Sequence, residues 1–298
     1  MNYTLLGKSG LRVSEIGFGC MSLGDGALEN KKLLLTAFDK GITYFDTADL
    51  YQKGANEKYV GSAFKGMRDK VIIATKVGNQ WRADGSGWDW NPRKEYILAS
   101  VDKSLQRLQT DYIDLYQLHG GTMEDNISET IEAFELLVQQ GKIRHYGISS
   151  IRPNVIREYV KRSNIVSVMM QYSLLDRRPE ESCLPLLKEN TIGVLARGSV
   201  ASGLLVNKPA KDYLNYTTAQ VQQAAAAIKA CSIGERSEAQ TAIRFVLQQP
   251  AITAAIVGIR TLAQLEEAVE TVDSPALTAA EIRQLQSAIP ANNYEQHR

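Results

Sequence analysis

Eight short apolar runs recur along the chain, and a stretch of helical periodicity follows nearly every one of them. The runs are residues 15–19 (EIGFG), 42–46 (ITYFD), 71–76 (VIIATK) and 112–118 (YIDLYQL), then 146–149 (YGIS), 165–171 (IVSVMMQ), 192–196 (IGVLA) and 254–258 (AAIVG). The amphipathic stretches between them fall at 31–40, 57–65, 93–108, 127–140, 155–162 and 183–189, with further helical stretches at 218–230, 238–249 and 279–288. Strands separated by helix-length crossovers pair in parallel, and eight such units suffice to close an α/β barrel of the TIM type, (β/α)8. The alternation defines the unit but not its closure, so a doubly wound open sheet is the other arrangement it permits.

A chain of 298 residues fits one such barrel, and no linker-like tract divides it, so the expectation is a single domain over 1–298. Residues 3–6 and 11–15 flank GKSG, which predicts a β-hairpin covering one barrel end. Two longer insertions, 78–92 (GNQWRADGSGWDWNP) and 199–218, are expected as loops on the C-terminal face, where substrate lids are built.

A formal net charge of +1 gives no electrostatic reason to bind nucleic acid or a membrane surface, and a small-molecule partner is expected instead. The three cysteines Cys20, Cys183 and Cys231 are odd in number and widely spaced, which points to reduced thiols and a cytoplasmic protein. The N-terminal residues carry no leader pattern, and no apolar run approaches a membrane span. No metal-ligand cluster is spaced for binding, and oligomeric state is not legible.

Chemistry concentrates at the ends of consecutive runs. YFDTADLY delivers Asp46 and, five residues later, Tyr51; VIIATK closes on Lys76; YIDLYQLH closes on His119. In a barrel all four belong to the C-terminal mouth. A phenol is a weak proton donor at neutral pH, and a lysine cation beside it favours its anionic form. Asp46 pairing with Lys76 would keep that cation charged, and His119 would orient a carbonyl oxygen. Acid, phenol, amine and imidazole together can reduce a carbonyl. Each has an ordinary use when taken alone: a helix cap, a packed ring, a solvated strand end, a histidine satisfied by backbone.

Those residues, with LGKSGLRVSEIGFGCMSLG, SLQRLQTDYIDLYQLH, GKIRHYGISS and VGIRTLAQLEEA, make nearly the whole chain resemble the aldo-keto reductase superfamily. The resemblance implies a catalytic tetrad of Asp46, Tyr51, Lys76 and His119, with NADPH extended across the C-terminal barrel face and favoured over NADH. It implies that Gly19, Cys20 and Met21 lie beneath the nicotinamide, and that Ser149, Ser150 and Gln171 hold its carboxamide, with Ser150 standing where Asn is commoner. Arg197 occupies a place often held by a stacking aromatic, and stacking or phosphate pairing are both open to it. The backbone of Gly198, Ser199, Gly203 and Leu205 matches a pyrophosphate-holding segment. Gly258, Arg260, Thr261, Gln264 and Glu267 match the adenosine-side site, with Arg260 suited to the added phosphate of NADPH.

GFGCMS is not a Rossmann fingerprint, because Ser22 stands at the third glycine and DGALEN interrupts the helix that should follow. Trp81, Trp88 and Trp90 are candidates for the wall of an apolar pocket, while Met169 and Met170 read as core or sheet-face residues. The expected activity is NADPH-dependent reduction of an aldehyde or ketone to an alcohol, with Tyr51 as proton donor. The alternative is a cofactor-sensing regulatory subunit on the same barrel, since potassium-channel β subunits share this architecture and tetrad.

Overall fold

The computed structural model describes residues 1–232, 234 and 236–298. A hairpin of β1 (Tyr3–Leu5) and β2 (Arg12–Ser14) opens the chain, followed by β3 (Ile16–Gly19), α1 (Ala27–Asp39), β4 (Tyr44–Asp46), α2 (Ala55–Phe64) and β5 (Ile72–Val77). Next come β6 (Asn79–Trp81), β7 (Trp88–Trp90), α3 (Lys94–Leu108), β8 (Ile113–Leu118), α4 (Ile127–Gln139), β9 (Ile143–Ser149) and α5 (Pro153–Arg162). The remainder is β10 (Ser167–Gln171), α6 (Cys183–Glu189), β11 (Gly193–Arg197), α7 (Thr218–Cys231), α8 (Glu238–Leu247), β12 (Ile252–Gly258), α9 (Leu262–Glu270) and α10 (Ala279–Ala288).

Strands β3, β4, β5, β8, β9, β10, β11 and β12 pair in that order, all parallel, and β12 returns to β3. The sheet is therefore closed, which removes the open-sheet alternative and leaves no strand edge exposed. Two apolar layers result. Outward-facing strand residues such as Phe45, Ile73 and Val194 pack with helix residues such as Leu34, Val101 and Ile243. Inside the barrel, Tyr44, Ala74, Leu115, Met169, Leu195 and Ala254 form a separate core.

The hairpin closes the bottom of this inner core, where Leu6 and Val13 are fully buried against it. Gly7 makes the approach possible: its φ is +52°, and a Cβ there would stand 2.6 Å from the Val166 carbonyl oxygen and 2.7 Å from the Gly193 nitrogen. Both features call for glycine.

Several expectations are corrected. The 78–92 insertion is an antiparallel hairpin, β6 with β7, in which Trp81 pairs with Trp88 and Asn79 with Trp90; the Trp81–Trp88 pair stabilises strand geometry beside the glycine-containing tip. Helix α1 begins at Ala27, four residues before the expected start, because Ala, Leu and Glu fill its first turn and Asn30 ties back to the Gly24 carbonyl at 2.8 Å. Strand β9 starts at Ile143, upstream of YGIS, since Ile143 pairs with Ile113. Helix α9 follows β12 and was absent from the expected helices. All three cysteines are buried and free. Among the described residues, no helix is long and apolar enough to cross a membrane.

The plugging role of the hairpin predicts unequal costs for two glycines in one turn. Gly7→Ala should lose at least about 2 kcal/mol, against about 1 kcal/mol for Gly10→Ala, whose φ is also positive but whose side faces open space. Urea unfolding midpoints of the two variants provide the measurement, and equal losses would mean that the hairpin does not close the barrel.

Candidate active site

Strand register places alternate residues on the barrel's inner face, so the apolar inner layer gives way near the C-terminal ends to a polar one. Tyr44 precedes Asp46, Ala74 precedes Lys76, Leu115 precedes Gln117, Met169 precedes Gln171 and Leu195 precedes Arg197, each by two positions. Ladder pairs tie this ring together: Asp46 lies beside Gly19 and Ala74, Lys76 beside Gln117, Gln171 beside Arg197, and Gly258 beside Gly19.

Lys76 is almost completely buried, and all three of its ammonium protons have an acceptor. They go to the Asp46 carboxylate, to the Thr47 carbonyl at 2.7 Å and to the Tyr51 hydroxyl at 3.4 Å. Gln117 donates from Nε2 to the other Asp46 oxygen at 3.2 Å. Burial works against the Lys76 ammonium, but Asp46 and Tyr51 outweigh it and hold its pKa above the ordinary value. Burial lifts the Asp46 carboxyl as well, opposed by Lys76, Gln117 and Arg197. With its pKa held up in this way, Lys76 keeps its proton beside the Asp46 carboxylate.

A strained turn carries Tyr51. Gln52 and Lys53 have φ of 48° and 53°, and Gly54 follows at 86°, so two side-chain-bearing residues sit in the left-handed region. Gln52 offsets the strain through Nε2, which donates to the Gly24 carbonyl at 3.1 Å and to Asp25 Oδ1 at 3.0 Å. Asn56 donates to Gln52 Oε1 at 3.0 Å and to the Cys20 carbonyl at 2.8 Å, and accepts from Thr47 Oγ1 at 2.7 Å. Tyr51 is thereby pinned between the segments that follow β3 and β4.

His119 follows β8, anchored by its N–H on the Val77 carbonyl at 2.7 Å, and meets the Tyr51 ring edge-on at 5.8 Å between centroids. Burial pushes its imidazole down to about 3, with Lys76 and Arg197 adding to the effect, and Nδ1 has no hydrogen-bond partner. The ring is neutral at physiological pH. Two residues before Tyr51, burial and the neighbouring Glu57 carboxylate lift Asp49 to about 8 against the pull of Arg107.

Tyr51, Lys76 and His119 face a cavity of about 650 Å3 at the barrel mouth. Its apolar wall includes Met21, Leu50, Trp88, Trp90, Ile151 and Met169. Trp81 is not in this wall: its indole donates to the Leu50 carbonyl at 3.3 Å and its ring lies 5.0 Å from Lys53 Nζ. Met169, read as core from sequence, is both core and cavity lining. Gln117, Gln52, Asn56 and Arg152 were not singled out from sequence. For Gln117 the signal is available, since a polar residue at an inward strand position interrupts the apolar face; Gln52 and Arg152 lie in turns whose folding is not legible, and Asn56, in the first turn of α2, takes its meaning from contacts to Thr47, Gln52 and Cys20.

The residues matched to a cofactor occupy three places. Ser149 and Arg197 line the cavity, and Arg197 donates to Gln171 Oε1 at 3.0 Å while Gln171 Nε2 donates to the Tyr213 hydroxyl at 2.6 Å. Ser150 is buried and its hydroxyl accepts from the Arg152 N–H at 3.2 Å. Cys20 is fully buried, and burial followed by the Asp46 charge raises its thiol well above the ordinary range, while Met21 beside it is exposed. Past β11, Gly198 and Gly203 have φ of 79° and 93°, Leu205 is core, and Ser199 Oγ is buried without a partner. Past β12, Thr261 caps α9 by accepting from the Gln264 N–H at 3.2 Å, Gln264 Oε1 accepts from the Arg260 N–H at 2.9 Å, and Glu267 accepts from Ser237 at 2.6 Å. Gly258 and Arg260 are exposed. Among the described residues, no group of three or more His, Cys, Asp or Glu is placed to hold a metal ion.

Comparison with known proteins identifies this arrangement. A family model described as the aldo/keto reductase family matches residues 15–290. An uncharacterized oxidoreductase of Bacillus subtilis (strain 168), YqkF, is 51% identical, with 98% of each chain covered. The holo form of an aldo-keto reductase from Bacillus halodurans superposes with a TM-score of 0.94 at 49% identity, covering 100% of this chain and 99% of that one. The NADH-specific methylglyoxal reductase of Escherichia coli (strain K12) is 33% identical over 70% of each chain.

The buried imidazole yields a pH prediction. A folded-state pKa near 3 against an ordinary 6.5 means that the unfolded chain binds the extra proton first, so this contribution to stability is present above pH 6.5 and is lost as pH falls toward 3. NMR of the His119 ring, assigned with His119→Gln, should show no titration between about pH 5 and pH 8, a range that begins about two units above the depressed value; a midpoint near 6.5 would contradict the burial argument.

Proposed function

Since the chain belongs to the aldo/keto reductase family, whose members act on carbonyl compounds as oxidoreductases, we propose that it reduces an aldehyde or ketone with NADPH and that Tyr51 donates the proton. The observation that carries the reading is the Lys76 ammonium, fully engaged between the Asp46 carboxylate and the Tyr51 hydroxyl at the floor of the cavity.

A bound nicotinamide supplies the hydride; the chain's own residues do the rest. Tyr51 gives its proton to the carbonyl oxygen as negative charge develops there, and the Lys76 cation, 3.4 Å away, stabilises the charge left on the phenol oxygen. Asp46 and the Thr47 carbonyl fix the ammonium, and Gln117 fixes Asp46. Neutral His119 donates one ring hydrogen bond to the substrate oxygen and sets its direction toward Tyr51. The apolar wall displaces water from the reacting carbonyl. No proton step requires His119 to ionise.

The residues present fit the cofactor. Gly19, Cys20 and Met21 provide the floor under the nicotinamide, and Ser149, Ser150 and Gln171 provide polar groups for its carboxamide. The unpartnered Ser199 hydroxyl would serve the pyrophosphate in the segment of Gly198, Gly203 and Leu205, and a Cβ at Gly198 would stand 3.3 Å from Gln171, so glycine keeps that passage open. Gly258, Arg260, Thr261, Gln264 and Glu267 would hold the adenosine side, where the exposed Arg260 guanidinium would pair with the phosphate that distinguishes NADPH from NADH. Gln264 retains its Nε2 donor, because its capping contact uses Oε1.

Tyr51→Phe should retain nucleotide affinity within about threefold and lose at least about 100-fold in turnover of aromatic and aliphatic aldehydes, followed by NADPH oxidation. Near-normal turnover would reject Tyr51 as the acid. Arg260→Ala should weaken NADPH binding by about tenfold to hundredfold with little change for NADH, titrated by protein fluorescence at fixed ionic strength. Equal weakening of both nucleotides would remove Arg260 from phosphate recognition.

A further inference from the structure

Of the cations in the cavity wall, carbonyl reduction as described uses Lys76 alone, and Arg197 has the Asp46 carboxylate near enough to oppose its charge. Lys76 is engaged by Asp46, Thr47 and Tyr51, and Arg197 by Gln171. The third cation in the cavity wall is Arg152, at the passage from β9 into α5. Among the described residues, no Asp or Glu lines the cavity.

Arg152 is held in place before any ligand arrives. Pro153, the first residue of α5, keeps residue 152 extended, with φ −105° and ψ 107°. Its backbone N–H donates to Ser150 Oγ at 3.2 Å, and Nη1 donates to the Gly121 carbonyl at 2.7 Å. That carbonyl occupies one of five guanidinium hydrogens. Arg152 enters none of the ion pairs formed among the described residues. Glu124 feels its charge only as a secondary influence and is itself fully solvent-exposed. Arg152 also borders a second cavity of about 380 Å3, shared with Ile151 and closed by the C-terminal residues Asn293 to His297.

A guanidinium fixed at one corner presents a planar pair of donors, the shape that a carboxylate matches in a bidentate contact. A single cation suits a monoanion; a phosphate ester with two charges calls for more. Trp90 and Ile151 supply apolar surface for a linking chain. On the basis of the reductase reading, we propose that the site is built for a carbonyl compound bearing a carboxylate, an oxo acid whose carbonyl meets Tyr51 and His119 while its carboxylate pairs with Arg152. Arg152 is then a specificity-determining residue.

The test compares straight-chain ω-oxo acids, about three to eight carbons long, with their methyl esters, by kcat/KM at saturating NADPH in the wild type, Arg152→Gln and Arg197→Gln. At one chain length or more, the wild type should prefer the acid by at least about tenfold, mainly through KM, and added salt should shrink that preference. In Arg152→Gln the acid-to-ester ratio should fall to about one, whereas in Arg197→Gln the preference should persist. Equal turnover of acid and ester at every length, or an acid preference that survives in Arg152→Gln, would overturn the proposal while leaving the reductase reading intact. Ester turnover marks that distinction: a wild type that reduces neither class loses the reductase reading, and the proposal falls with it.

Discussion

A lysine ammonium buried inside a closed barrel is the constraint to which the rest of the site answers. Such a group, taken out of water, loses its proton unless its hydrogen bonds are met and its charge is opposed. Here Asp46, the Thr47 carbonyl and Tyr51 meet all three, and Gln117 completes the carboxylate's own shell. That requirement explains why polar residues succeed apolar ones at inward positions of several strands. Burial keeps the neighbouring His119 imidazole neutral, and the Lys76 charge adds to that effect.

The barrel supplies position and the turns supply aim. Asp46 and Lys76 are set by strand register, which leaves little freedom, but Tyr51 lies beyond the end of β4 and depends on a left-handed turn. The strain at Gln52 and Lys53 persists because the Gln52 and Asn56 side chains over-determine the turn through the loop after β3. The same loop carries Cys20 and Met21, so the aim of the phenol and the floor of the proposed nicotinamide site are mechanically linked. On the far side, the guanidinium of Arg152 is fixed by a proline on one side and a carbonyl on the other.

Much of this was legible in the sequence, and the reasons differ by residue. Asp46, Lys76 and His119 were visible because each closes an apolar run, and a run's end is where parallel strands deliver their side chains. Eight repeats of the unit point to a closed barrel, and the pairing of β12 with β3 seals the ring and removes the open sheet that repetition alone permits. The glycines of 78–92 point to a loop, while Trp88 and Trp90, alternating on β7 and paired with β6, carry the opposite signal. Arg152 escaped notice because its meaning comes from Gly121 and the cavity, both distant in sequence. Thr261 and Gln264 show a limit of a different kind: helix capping and cofactor contact draw on the same polar side chains, and sequence does not separate the two uses.

The central claim is that Lys76 acts on the reaction through Tyr51, and a double-mutant cycle addresses it directly. Catalytic efficiency toward one aldehyde is measured for the wild type, Tyr51→Phe, Lys76→Met and the double variant, with folding of each verified by circular dichroism and nucleotide binding. If the two side chains form one device, Lys76→Met costs at least about 100-fold in the wild type but less than about threefold when Tyr51 is already phenylalanine. The same loss in both backgrounds would mean that Lys76 and Tyr51 contribute independently, and would contradict the account.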